Sequence, residues 1–120
     1  MSESHGDARR CRGEFPADPS FLVPARLFTI SVCRTWGLDD EVIADIRLGV
    51  SELAAVAAAR AESFSIDLEH LGREVLLTVA PIDRADLEGV PVGAGDVVGA
   101  LFDRVLIGGD RVVAVVERQE

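Results

Sequence analysis

The apolar residues of this chain change their spacing after about residue 60, and that change constrains the fold more than any other feature. Up to there they recur every three or four positions; from Phe64 to Leu68 they alternate with polar residues. A 3.6-residue period builds helices and a two-residue period builds half-buried strands. The chain therefore reads as a helical layer followed by a sheet.

Between Asp18 and Trp36, the residues Phe21, Ala25, Phe28, Val32 and Trp36 fall on one helical face. Asp18 or Ser20 is placed to cap this helix, Pro24 lies among the free N–H groups of its first turn, and Gly37 ends it. A second helix is predicted from Asp39 to Arg60. Asp39, Asp40 and Glu41 set negative charge at its positive end, and Ile46, Val50, Leu53 and Ala57 form its buried stripe. The alanine-rich run Ala54 to Ala61 favours helix and allows close packing.

Phe64, Ile66 and Leu68 then mark a strand, Leu71-Gly72-Arg73 a turn, and Val75 to Val79 a second, more central strand. Residues 81–95 read as a loop, Asp96 to Val105 as a short helix with Val97, Val98, Leu101 and Phe102 inward. Gly108-Gly109-Asp110 reads as a hairpin turn before a last strand, Arg111 to Val116. At the other end, residues 1–12 are expected to be a mobile tail, with a short extended segment from Arg12 to Phe15. Residues 13–120 are expected to form one α+β domain, a two-layer sandwich of a mostly antiparallel sheet with helices on one face.

Charge narrows the function. The 120 residues carry a net charge of −9, and all the cations in the sequence are arginine. Nucleic-acid binding draws on a basic face, so a basic protein partner is the better expectation. His5, Cys11, Cys33 and His70 are too scattered for a zinc site, and two free thiols fit a reducing compartment. The sequence has no run near the ~18 apolar residues of a membrane helix, and residues 1–12 lack a signal-peptide core. A cytoplasmic location, without a membrane or nucleic-acid partner, is the expectation.

The most informative segment is Ile46-Arg47-Leu48-Gly49-Val50-Ser51-Glu52-Leu53. It follows Pro24-Ala25-Arg26-Leu27-Phe28 and the turn Trp36-Gly37-Leu38. From Ala25 to Ala61, without a gap, this resembles the HATPase-type anti-sigma factors and serine kinases of partner-switching systems, within the histidine-kinase and Hsp90-like ATPase superfamily. The resemblance implies a reduced Bergerat-type fold. It makes Glu52 the relic of the phosphoryl-transfer base. The family's magnesium-binding asparagine, four residues on along the same helix face, falls on Val56, and its histidine on Arg60. Valine offers no oxygen to a hard cation, and the chain contains no asparagine that a shifted alignment could bring in. The family's adenine-binding aspartate falls on Pro81, with Asp83 in its place only after a two-residue slip. The second glycine box corresponds to Gly93-Ala94-Gly95.

Phosphoryl transfer rests on positioning and on charge neutralisation by metal. With these positions changed, the resemblance implies an anti-sigma-factor-like regulator that binds a sigma factor, an STAS-type antagonist or both, as a homodimer, without a cofactor. The alternative is a diverged but active serine-protein kinase using ATP with magnesium. Arg26 is the candidate partner contact by resemblance, against a structural salt bridge as its other role. Glu52 is either the relic base or a carboxylate that is solvated or paired with Arg60.

Overall fold

The computed structural model describes residues 8–88 and 94–117. The described elements are β1 (Ala8–Pro16), a 3-10 turn (Pro19–Phe21), α1 (Leu22–Thr35), α2 (Asp40–Arg60), β2 (Ser63–Leu71), β3 (Glu74–Ala80), α3 (Arg84–Glu88), α4 (Ala94–Leu101), β4 (Arg104–Gly108) and β5 (Arg111–Glu117). The five strands form one sheet in the order β1-β2-β3-β5-β4, antiparallel at every step.

Register sorts the strand residues onto two faces. Cys11, Leu68, Leu77, Ala114 and Val105 lie in one row across the sheet. With Phe64, Ile66, Val75, Val79 and Val112 they form the inner face, which is buried against the α2 stripe Ile46, Val50, Leu53 and Ala57. The outer face presents Arg10, Arg12, Ser65, Asp67, Glu69 and Thr78. This is the one-sided burial that an antiparallel sheet with alternating residues permits. The fold is α+β, as expected. Two hairpins turn at glycines of positive φ, Gly72 (φ +59) and Gly109 (φ +60), each first in a two-residue loop.

Four sequence expectations are corrected. First, β1 begins at Ala8, so the last residues of the expected tail are strand and the extended segment is longer than Arg12 to Phe15. Residues 1–7 lie outside the described residues. β1 is an edge strand whose inward positions include the small Cys11 and Gly13, so it shows little apolar alternation. Second, the expected loop 81–95 contains α3. Third, the helix expected to reach Val105 ends at Leu101; Val105 pairs with Ala114 in β4. Fourth, α1 starts at Leu22, because Asp18 caps the preceding 3-10 turn by accepting from the Ser20 amide at 2.9 Å.

The buried stripe of α1 is also rotated from the expected one. Ala25, Thr29 and Cys33 are fully buried, Phe28, Val32 and Trp36 are half-buried, and Phe21 is exposed. Small residues let α1 approach α2, and the aromatic side chains are displaced toward β1. Phe28 and Phe64 both pack on Phe15, with centroids 5.7 and 5.5 Å away. Thr29 satisfies its hydroxyl by donating to the Ala25 carbonyl at 2.9 Å. Burial pushes the Cys33 thiol up to about 11, which leaves it unreactive at neutral pH.

One close approach sets the position of the α4–β4 corner. Gly49, buried in α2, faces the ring of Phe102; a Cβ there would stand 2.6 Å from Cε1 and 2.7 Å from Cζ. Gly49→Ala is therefore expected to destabilise the fold by about 1–3 kcal/mol through overpacking, although alanine is the better helix former. Gly99, with open space around its Cα in α4, is the control. Gly99→Ala is expected to stabilise by roughly 0.5–1 kcal/mol. Urea unfolding of both variants checks the opposite signs.

Candidate functional site

Because the stripe Ile46, Val50, Leu53 and Ala57 must face the sheet, the neighbouring row of α2 is turned aside from it. That row carries Glu52, Val56 and Arg60, one turn apart, where the family resemblance puts base, metal ligand and histidine. Glu52 is half-buried, and Val56 is half-buried against the core.

Arg60 is not paired with Glu52. Its Nη1 lies 2.8 Å from Asp86 Oδ2 and 3.1 Å from Asp83 Oδ2. The two aspartates also bond each other's backbone. The Asp86 amide donates to Asp83 Oδ1 at 3.0 Å, and the Asp83 amide donates to Asp86 Oδ2 at 2.9 Å. This reciprocal pattern is a capping box at the start of α3, with aspartate in the position usually held by glutamate. The hydrogen bond from the Asp86 amide, helped by the Arg60 charge, holds the Asp83 carboxyl below its ordinary pKa. The preceding residue, Ile82, is fully buried, and its amide donates to the Asp110 carbonyl at 2.7 Å. Asp83 is thus fixed by its chain neighbours as well as by Arg60.

The residues present do not fit a magnesium–triphosphate site. Val56 has no oxygen, Arg60 is occupied by two carboxylates, and Asp83 spends its carboxylate on the α3 cap and on Arg60. Gly95 lies in the first turn of α4, and Gly93 lies outside the described residues. Among the described residues there is no group of three or more His, Cys, Asp or Glu side chains placed to hold a metal.

Arg26 stands apart from this cluster, half-buried on α1. Among the described residues it forms no salt bridge, so the structural role weighed for it has no partner there. A groove of about 770 Å³ runs between α1 and β1, where Leu27, Phe28 and Trp36 share the lining with the polar Arg10, Ser31 and Thr35. Leu27 is 59% exposed, the most exposed large apolar residue of the described chain.

Sequence reasoning missed two of these features. The Asp83-x-x-Asp86 spacing is itself a helix-start signature and marks α3 once it is read as one. The pairing of Arg60 with it spans 26 positions and leaves no sequence signal. Leu27 was legible only as one more apolar residue of α1.

Among the described residues no helix is long and apolar enough to cross a membrane. No protein-family model matches the chain, and no curated protein matches it.

The clasp has a measurable signature. Asp86→Ala removes one capping acceptor and one arm of the ion pair, and is expected to cost about 1 kcal/mol. Arg60→Met, at an exposed pair, is expected to cost less than about 1 kcal/mol. Since the folded-state pKa of Asp83 is depressed, its stabilisation is complete at neutral pH and is lost as pH falls through that depressed value. Asp83→Asn is expected to flatten the acid limb of a stability-versus-pH curve and to leave the neutral-to-alkaline limb in shape. Chemical unfolding at stepped pH checks this.

Proposed function

We propose that this chain is a regulatory protein that works by protein–protein binding, in the manner of an anti-sigma factor in a partner-switching system, and without kinase chemistry. The observation that carries the nucleotide-free half is the engagement of Arg60 by Asp83 and Asp86, beside a Val56 that offers no ligand. Chemistry that needs a metal-neutralised phosphate and an anchored base has neither on this helix face. What remains on the surface suits contact with another protein: an arginine that forms no salt bridge among the described residues, exposed apolar residues on the same helix, and a net charge of −9.

In this reading the partners are a sigma factor, an STAS-type antagonist or both. The functional unit is a homodimer, the compartment is the cytoplasm, and no cofactor takes part. Arg26 is the contact residue, because arginines are enriched among the residues that dominate binding energy. The acidic bulk of the chain steers it toward basic protein surfaces.

Calorimetric titration with ATP and ADP, with and without magnesium, is expected to show no binding. Micromolar, magnesium-dependent binding would return the chain to the kinase reading, with Glu52 as base. Co-purification with candidate sigma factors and STAS proteins tests the other half, and failure to retain any of them counts against it. Arg26→Glu is expected to weaken the complex at least about tenfold, equivalent to ~1.4 kcal/mol. The unfolding midpoint should stay where it is, because the side chain supports no ion pair among the described residues.

A further inference from the structure

The charge of this molecule is divided. Residues 8–36, which hold β1 and α1, carry five arginines (Arg9, Arg10, Arg12, Arg26 and Arg34) against two carboxylates (Glu14 and Asp18), a net of +3. Residues 37–117 carry sixteen carboxylates against six arginines, a net of −10. The one cationic stretch of an acidic chain is thus the stretch that forms the α1–β1 groove.

The same stretch holds an open sheet edge. β1 is terminal in the strand order and pairs with β2 alone among the described strands, along nine residues. An edge of that length offers unpaired N–H and C=O groups to another strand. The groove beside it is mainly apolar on the helix side, where Leu27, Phe28, Val32 and Trp36 are joined by the polar Ser31 and Thr35, and it has Arg10 and Cys11 of β1 on the other.

We propose that this edge binds an extended segment of a partner protein in which apolar and acidic residues alternate, added to the sheet beside β1. The specification follows from the two-residue period of a strand. Every second side chain of an added strand faces inward, over the groove, and is apolar. The others face outward, beside Arg10 and Arg12, which share the outer face with Glu14, Asp67 and Glu69. Arg10 already binds Asp67 at 2.7 Å and Arg12 binds Glu14 at 3.0 Å, but each guanidinium has five N–H donors and can take a second carboxylate. A second copy of this chain is the poorer occupant, because β1 itself carries Arg9, Arg10 and Arg12 against Glu14, and pairing two copies would set one +2 edge against another. The proposal goes beyond the regulatory reading above and does not rest on it.

Trp36, the only tryptophan of the chain, lines the groove and so reports on its occupancy. The probes are capped octapeptides: one alternating valine and glutamate, one alternating valine and lysine, and the first N-methylated at every second residue so that one edge cannot pair. The lysine comparison is sharp, because the net charge of −9 favours the lysine peptide while the local edge favours glutamate. The expected result is a saturable change in Trp36 emission with the glutamate peptide, at least about tenfold tighter than with lysine. N-methylation on the pairing edge should abolish it, and Leu27→Asp, at an exposed position, should weaken it at least about tenfold with an unchanged circular dichroism spectrum. Three outcomes overturn the proposal. They are equal or stronger binding of the lysine peptide, no saturable change with any peptide, and a dimer in sedimentation that Leu27→Asp dissociates.

Discussion

Burial of Ile46, Val50, Leu53 and Ala57 under the inner face of the sheet fixes where the rest of the structure must go. Burying Ile46, Val50 and Leu53 contributes roughly 1.5–3 kcal/mol each, with less from Ala57, and the four share one core with Ile66, Leu68, Leu77 and Val79. Once that stripe faces the strands, the rotation of α2 is settled. The alanine face that includes Ala54 is left for α1, and Arg60, at the end of the next row, meets Asp83 and Asp86 at the start of α3. Gly49 completes the arrangement, since its missing side chain is the space into which Phe102 settles.

The row turned toward α3 shows how a helix face can be put to structural use. An arginine at the end of α2 finds two carboxylates that are already held by each other's amides. The aspartates are preorganised by the backbone, so the arginine orders fewer free side chains in joining them. One cluster then caps a five-residue helix and ties it to the end of a 21-residue one. A short helix such as α3 has little intrinsic stability, and such a tie suits it.

Much of this was legible in the sequence, and the gaps have physical causes. α2 was readable because its apolar period runs over many turns, and β2 and β3 because their alternation is regular. β1 was shortened because an edge strand with three arginines and with Cys11 and Gly13 among its inward positions resembles a polar tail. α3 was missed because its signal is a cap rather than a period. The stripe of α1 was misplaced by weighting aromatic residues over small ones, although close packing of two helices selects the small face. That Val56 has no side-chain oxygen, where the resemblance would place a metal ligand, was plain from the sequence alone. What holds Arg60 was not, because no local pattern encodes a contact between distant segments.

The placement of β1 at the sheet edge also bears on the order in which the molecule assembles. The β2–β3 and β4–β5 hairpins close over two-residue loops, whereas β1 pairs with β2 across sequence separations that run from 47 (Pro16 with Ser63) to 63 (Ala8 with Leu71). Chain entropy opposes such a closure until both helices have shortened the path between the strands. The first strand of the chain is therefore expected to be among the last laid down. The groove beside it comes into being only when the topology is complete, so a partner that reads this edge reads at the same time whether the chain has finished folding.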